Sequence, residues 1–123
     1  MLSKSKVLAL TLIYTLALTV LSLISLDAKL TIDVTFGDKV FHLGAYAALV
    51  ILLFCTLYKC DFRQALPAAA IAAIIYGIII EVLQGELTVD REFDVFDIIA
   101  NCIGVLISVV IIRVFNKSIV KYL

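Results

Sequence analysis

Four apolar runs are the feature that most constrains how this chain folds. They cover about residues 7–26, 40–58, 65–83 and 97–115, and polar residues separate them. At 1.5 Å per residue, each run forms a helix that can cross a hydrocarbon layer of about 30 Å. Of the 123 residues, 64% are hydrophobic and 16% are charged, so four spans use nearly the whole chain. We predict an all-α integral membrane four-helix bundle that forms a single domain over residues 1–123.

The distribution of basic residues predicts the orientation of this bundle. If the N-terminus is cytoplasmic, seven of the ten Lys and Arg residues lie inside, and nine of the ten Asp and Glu residues lie outside. Cytoplasmic loops carry an excess of Lys and Arg, so we expect both termini in the cytoplasm and a multi-pass protein of the cell membrane. Lys4 and Lys6 also fit a signal peptide, but the first run is longer than usual and no clear cleavage motif follows it.

The second run begins with polar residues at helical spacing. Asp38, His42 and Tyr46 lie four residues apart, which places them on one face of a helix, and Lys39 follows Asp38. A structural interpretation is that Asp38 caps the helix and that Lys39 extends to the lipid headgroups. His42 is the only histidine, and histidine is the residue type that exchanges protons most readily near neutral pH.

The third run contains a carboxylate within otherwise apolar sequence. Glu81 is costly at that depth unless it is paired, hydrogen-bonded or protonated, so we expect it to face the bundle interior. It ends a stripe of small residues at spacings of three and four, made of Ala70, Ala73 and Gly77, and Gln84 follows it. Such a stripe permits close helix packing, which is its structural interpretation.

The fourth run carries a similar stripe, made of Asp94, Asp97, Asn101, Gly104 and Ser108. Asp97 is a second candidate N-cap, but Asn101 lies one turn deeper and needs hydrogen-bond partners on another helix. Arg91 in the preceding loop can bind carboxylates bidentately or hold an anionic headgroup. We expect Lys39 or Arg91 to be the salt-bridge partner of Glu81.

Several kinds of site are not indicated by the sequence. The three cysteines form no C-x-x-C pair and are interpreted as small apolar residues. A divalent cation could be ligated by His42, Glu81, Asp94 and Asp97, but their spacing matches no metal motif, so no metal and no cofactor are predicted. With a formal net charge of zero and no basic aromatic module, we expect no nucleic-acid partner.

Three motifs occur in a defined order, with an apolar span between the first two. They are D-K-x-x-H-x-x-x-Y from Asp38, E-x-x-Q from Glu81, and R-x-x-D-x-x-D-x-x-x-N-x-x-G from Arg91 to Gly104. Together they resemble the VanZ-like family of small bacterial membrane proteins, named after an accessory protein of teicoplanin resistance. The resemblance implies a membrane protein of this kind, a family sometimes linked to lowered susceptibility to glycopeptides that act on cell-wall precursors. It does not imply that this chain confers antibiotic resistance.

The first function that we consider is binding of an amphiphile in a polar pocket on the extracytoplasmic side. The ligand would be a membrane lipid, a lipid-linked component of the cell envelope or a lipoglycopeptide-type molecule. A headgroup and a tail suit a site at the membrane interface, where polar side chains lie beside apolar helix surface. The candidate binding residues are Asp38, Lys39, His42, Tyr46, Glu81, Gln84, Arg91, Asp94, Asp97 and Asn101.

Two other functions stay open. An intramembrane hydrolase or transferase acting on a lipid headgroup would use His42 as general base and Glu81 as general acid, with Asp97 as a further catalytic candidate. Asp38 would orient His42, and Arg91 would stabilise negative charge. Transport coupled to protons or ions would draw on Glu81, but the inner halves of the spans carry no continuous chain of ionisable residues.

Overall fold

The computed structural model describes residues 1–24, 34–89 and 91–123, and the regular structure of these residues is helical. The helices are α1 (Lys4–Leu23), α2 (Val34–Lys59), α3 (Ala65–Leu87) and α4 (Val95–Tyr122). Each is long and apolar enough to cross a membrane. The predicted all-α fold with four membrane-spanning helices is confirmed, whereas the cytoplasmic location of both termini stays a prediction.

All four helices extend beyond the predicted apolar runs at one end or both. α1 begins at Lys4 and α2 at Val34, whereas α3 continues to Leu87 and α4 to Tyr122. Helix formation depends on backbone hydrogen bonds, so a helix can continue past the hydrocarbon layer on polar residues. The end of the first predicted span, residues 25–26, and the polar connection up to residue 33 lie outside the described residues.

Neither of the two candidate N-caps caps its helix. Asp38 lies within α2, and Asp97 lies within the first turn of α4. The residue that caps α4 is Asp94, whose carboxylate accepts a hydrogen bond from the Phe96 N–H at 2.8 Å. The carboxylates of Asp38 and Asp97 are therefore free to contact side chains on other helices.

The turn after α2 is a Schellman motif. The Phe62 N–H donates to the Leu57 carbonyl at 3.0 Å, and the Asp61 N–H donates to the Tyr58 carbonyl, also at 3.0 Å. Asp61 has a φ of 57°, in the left-handed region where glycine is the usual residue. The motif ends α2 abruptly and directs the chain into α3, whose first turn accommodates Pro67 because N–H groups there lack helical partners.

α2 is the central helix of the bundle. It contacts each of the other three helices and packs most extensively on α4, whereas α1 and α4 have no contact within the described residues. Gly104 lies directly against the α2 backbone, since a Cβ at this position would collide with the Leu43 carbonyl. One turn further along, the Ser108 hydroxyl donates to the Ala47 carbonyl at 2.8 Å. Small residues thus bring α2 and α4 close together.

α3 presents its own small residues to the core. The buried face contains Ala69, Ala73, Gly77 and Glu81, one helical turn apart. The stripe predicted from the sequence contained Ala70, but Ala70 is only half-buried, and its neighbour Ala69 lies on the buried face instead. This face leads from the packed half of the bundle to the polar side chains at the other end.

Candidate functional site

Polar side chains from α2, α3 and α4 meet at one level of the bundle around the imidazole of His42. Its Nε2 lies 3.9 Å from Asp38 Oδ1 and 3.5 Å from Asp97 Oδ2. Its Nδ1 lies 3.7 Å from Glu81 Oε1 and 3.0 Å from Asn101 Oδ1. Only 3% of the His42 side chain is exposed. We call this group and its neighbours the polar cluster; it consists of Asp38, Lys39, His42, Tyr46, Glu81, Gln84, Arg91, Asp94, Asp97 and Asn101.

The two basic side chains of the cluster pair with aspartates. Lys39 Nζ donates to Asp94 and to Asp97, so it links α2 to the start of α4. Arg91 Nη2 donates to Asp38 Oδ1 at 3.1 Å through a single contact. The expectation that Lys39 or Arg91 pairs with Glu81 is therefore wrong, because aspartates engage both cations.

Glu81 lies deeper than the other carboxylates. Its side chain is fully buried, and neither carboxylate oxygen has a hydrogen-bond partner among the described residues. The charged or chargeable group that faces it is the imidazole of His42, at 3.7 Å. A buried carboxylate without a partner costs free energy, so folding alone does not explain its presence.

Two further buried polar atoms of the cluster lack partners in the described part of the chain, the Tyr46 hydroxyl and Asn101 Nδ2. The Tyr46 ring and Asn101 Nδ2 lie against Gly77, where a Cβ would come within 2.8 Å of Tyr46 Cε1 and 3.1 Å of Asn101 Nδ2. The Tyr46 ring also stacks on the His42 ring, with centroids 6.4 Å apart. Gly77 therefore serves the cluster by leaving room for these two side chains.

The end of α1 contacts the polar cluster, which was not predicted from the sequence. The Ser22 carbonyl accepts hydrogen bonds from Gln84 Nε2 at 2.8 Å and from Arg91 Nη1 at 3.5 Å. The last carbonyls of a helix have no helical partners, and this general signal could have indicated Ser22 as an acceptor. The Ser22 carbonyl thus links Gln84 to Arg91, which itself donates to Asp38.

Asp94 lies at the exposed rim of the cluster, just before α4. The hydrogen bond from the Lys39 ammonium, followed by that from the Phe96 N–H, lowers the pKa of the Asp94 carboxyl below its ordinary value. Its side chain is 39% exposed, so solvent screens part of this attraction. Asp94 is therefore ionised at neutral pH and keeps Lys39 at the rim.

An apolar groove of about 370 Å³ runs between α1 and α2 beside the polar cluster. Its lining consists of Tyr14, Ala17, Leu18, Leu21, Val40, Phe41, Gly44 and Ala45. The Phe41 ring in its wall meets the His42 ring edge-on, with centroids 6.1 Å apart. The groove and the cluster thus lie on adjacent faces of α2.

These features define a multi-pass membrane protein with a buried polar cluster at one level of a helical bundle. The sequence matches the family model described as VanZ/LLP1 over residues 3–116, nearly the whole chain. The chain belongs to the VanZ/LLP1 family, so the resemblance noted from its motifs is confirmed. At a significant level of similarity, it matches no curated protein and no solved structure.

Proposed function

We propose that this protein binds an amphiphile in the outer half of the membrane. The polar headgroup would contact the polar cluster, and the hydrocarbon chain would lie in the groove between α1 and α2. The observation that carries the proposal is an apolar groove whose Phe41 ring contacts His42, at the centre of a cluster with buried polar atoms that lack partners among the described residues. A ligand with a headgroup and a tail matches both surfaces at once.

The unpartnered atoms support a headgroup with both donors and acceptors. The Glu81 oxygens accept hydrogen bonds, Asn101 Nδ2 donates them, and the Tyr46 hydroxyl does both. A buried polar atom without a partner costs about 1–3 kcal/mol. Ligand groups that satisfy these atoms would recover part of that cost, which favours binding over an empty cluster.

The groove supports the placement of the hydrocarbon chain. Its volume falls within the range of small-molecule sites, roughly 300–1,000 Å³. Its walls come from the same ends of α1 and α2 that approach the cluster, because Ser22 of α1 accepts from Gln84 and Phe41 of α2 touches His42. A ligand of modest length would therefore reach both surfaces.

The cellular setting follows from the charge distribution. With both termini in the cytoplasm of a bacterial cell, the polar cluster would face the extracytoplasmic side of the cell membrane. A lipid-linked envelope component or a lipoglycopeptide-type antibiotic would meet it there, which would connect the protein to glycopeptide susceptibility. A reporter fused at Lys121 tests the orientation, and an external report would contradict it.

The lipid-binding proposal is tested by filling the groove. Gly44 lines it, and a Cβ at this position meets nothing within 4 Å, so Gly44→Leu should fold normally while blocking the chain. Gly37 has the same open surroundings but does not line the groove, which makes Gly37→Leu the matched control. Each variant is purified in mild detergent, and its co-purifying lipid is extracted and measured by mass spectrometry.

We expect Gly44→Leu to retain roughly tenfold less of the co-purifying amphiphile than the parent, the effect of losing about 1.4 kcal/mol of contact. Gly37→Leu should retain the parental amount. Equal retention by both variants would contradict the proposed site in the groove. Loss of ligand from Glu81→Gln with the groove intact would separately support the headgroup contact.

A second candidate function is acid–base chemistry on the bound headgroup. The observation that favours it is the position of His42 between carboxylates, with Asp97 Oδ2 at 3.5 Å and Glu81 Oε1 at 3.7 Å. His42 would act as general base and Glu81 as general acid, with Asp97 orienting the imidazole. Chemical change of a purified lipid substrate by the parent, abolished in His42→Gln, would establish it over simple binding.

A further inference from the structure

We infer that Asp38, His42 and Asp97 bind one first-row divalent cation, such as Zn²⁺ or Mn²⁺. From the sequence we predicted no metal, because the candidate ligands weighed there, His42, Glu81, Asp94 and Asp97, match no metal motif along the chain. Two of them come from α2 and one from α4, and a ligand atom from each lies within 4.8 Å of the others. Imidazole nitrogen with two carboxylate oxygens is a donor set that first-row divalent cations take.

The separations between the donor atoms fit a coordination shell. His42 Nε2 lies 3.5 Å from Asp97 Oδ2 and 3.9 Å from Asp38 Oδ1. Ligands in tetrahedral positions at about 2.1 Å from a metal ion are about 3.4 Å apart. The two separations from the imidazole are close to this value, and the oxygens of Asp38 and Asp97 lie within 4.8 Å of each other, so the two carboxylates would move closer together to bind one ion.

The hydrogen bond at the other ring nitrogen directs the lone pair of His42 into this site. Asn101 Oδ1 accepts from Nδ1 at 3.0 Å, which places the imidazole proton on Nδ1. Nε2 is therefore the ring nitrogen that faces the oxygens of Asp38 and Asp97. In the neutral tautomer with its proton on Nδ1, Nε2 is available to bind a metal ion together with these two oxygens.

Glu81 is an independent observation in favour of a cation. Its carboxylate is fully buried against the Nδ1 side of the ring, with no hydrogen-bond partner for either oxygen in the described residues. Metal-binding histidines commonly direct their second nitrogen toward a carboxylate or carbonyl, which raises the basicity of the ligating nitrogen. Glu81 and Asn101 occupy these supporting positions around His42.

The charges of the cluster also favour a divalent ion. Four carboxyl groups, those of Asp38, Asp94, Asp97 and Glu81, face two basic side chains, Lys39 and Arg91, in the described part of the chain. A divalent cation would add positive charge where acidic groups outnumber basic ones. Lys39 and Arg91 would hold the ligating aspartates in place, as hydrogen-bonded partners of metal ligands do.

A cation with three protein ligands keeps coordination positions open. Resting on the proposed function, we infer that these positions receive the oxygens of a phosphate headgroup. Lys39 and Arg91 are already engaged by aspartates, so the bound cation would supply the positive charge that an anionic headgroup needs.

The metal site is tested on the full chain in detergent without added lipid. Protein treated with a chelator and freed of any histidine tag is titrated with MnCl₂, followed by electron paramagnetic resonance, and with ZnCl₂, followed by elemental analysis. Mn²⁺ prefers oxygen ligands to thiolates, so the three free cysteines do not interfere with the Mn²⁺ titration. We expect one ion per chain.

Asp38→Asn, His42→Gln and Asp97→Asn should each weaken Mn²⁺ binding at least tenfold, since they remove a ligand. Glu92→Gln, an exposed acid beside the cluster, should leave it unchanged. If a variant at a buried ligand fails to fold, the Mn²⁺ affinity of Asp38→Asn alone tests the site, because the side chain of Asp38 is 26% exposed and its replacement should be tolerated. Absence of a single-ion site, or binding unaffected by all three variants, would overturn the inference and leave the proposed lipid binding intact.

The headgroup contact is tested with dodecyl phosphate, inorganic phosphate and dodecyl maltoside. We expect Mn²⁺ to strengthen dodecyl phosphate binding at least tenfold and to leave dodecyl maltoside unaffected. If Mn²⁺ strengthens the binding of inorganic phosphate equally, the ion recognises phosphate and the hydrocarbon tail is not required. Dodecyl phosphate binding that is independent of Mn²⁺ would overturn the bridging role. A protein that binds the ion but binds no amphiphile, with or without the ion, would instead contradict the proposed function.

Discussion

The half of the bundle near the α2–α3 turn and the half with the polar cluster differ in how completely their buried polar groups are satisfied. In the first half, the Thr11 hydroxyl bonds to Thr56 at 2.8 Å, and Ser108 bonds to the Ala47 carbonyl. In the second, Glu81, Tyr46 and Asn101 keep unpartnered atoms within the described structure. Satisfied groups serve stability, whereas unsatisfied ones reduce it and remain free for a ligand. We therefore expect substitutions in the two halves to have opposite effects on folding and on binding.

The largest expected effect on folding concerns the closest contact between α2 and α4. Gly104→Ala places a Cβ against the Leu43 carbonyl, and backbone cannot yield as a side chain does. We expect a loss of about 3 kcal/mol in the free energy of unfolding, the upper part of the usual range for overpacking. Thermal unfolding in detergent measures it. Gly44→Ala, in open surroundings, should instead gain up to about 1 kcal/mol, and similar behaviour of both variants would argue against the close contact.

Ala73→Leu tests the packed face of α3. Ala73 is fully buried, so a leucine there should force the helices apart at a cost of about 2 kcal/mol. Ala72→Leu, on the neighbouring exposed position, should change stability by less than about 0.5 kcal/mol. The fraction of Ala73→Leu that folds should keep its co-purifying ligand. Loss of ligand with unchanged stability would show that the two halves are not separate in function.

Glu81→Gln should behave in the opposite way. A neutral side chain of the same shape removes the cost of a buried charge, so we expect stability within about 1 kcal/mol of the parent or above it. Ligand retention should fall sharply, as measured by lipid extraction from the purified variant. If Glu81→Gln unfolds the bundle while the folded remainder binds normally, Glu81 is a structural ion-pair residue of His42.

A smaller effect, this time a gain in stability, is expected from a substitution in the turn that ends α2. Asp61 has a φ of 57°, which glycine adopts without the steric cost that a Cβ brings. Asp61→Gly should stabilise the fold by about 1 kcal/mol and leave ligand binding unchanged. Asp61→Ala keeps the Cβ and should give no gain. A gain from both variants would point to the charge of Asp61 instead of its backbone conformation.

The smallest expected effect is the dependence of stability on pH at Asp94. Lys39 lowers the pKa of Asp94 in the folded protein below its ordinary value of 3.8. The ion pair therefore stabilises the fold fully above pH 3.8, and this stabilisation disappears as the pH falls through the lowered pKa. The parent should exceed Asp94→Asn by less than about 1 kcal/mol near neutral pH, because the pair is partly exposed. Thermal midpoints of both proteins should converge below about pH 4. Asn also caps a helix, so a difference that persists in acid would point to the cap.

The sequence by itself determined the number of helices and most members of the polar cluster. Apolar runs long enough to cross a membrane are visible without any tertiary information, and the confirmed family follows from motifs read along the chain. The spacing of Asp38, His42 and Tyr46 placed them on one face of α2, because helical periodicity is a local property. Burial of Glu81 followed from the energetic cost of exposing a carboxylate to lipid.

Only the tertiary structure decided which side chains meet. Lys39 and Arg91 lie within reach of several carboxylates, and their pairing with aspartates instead of Glu81 depends on depth and on the distances between helices. The Ser22 carbonyl and the collision of a Cβ at Gly104 with Leu43 likewise involve backbone atoms of other helices. Such contacts join residues far apart in the chain, and local periodicity carries no information about the approach of one helix to another.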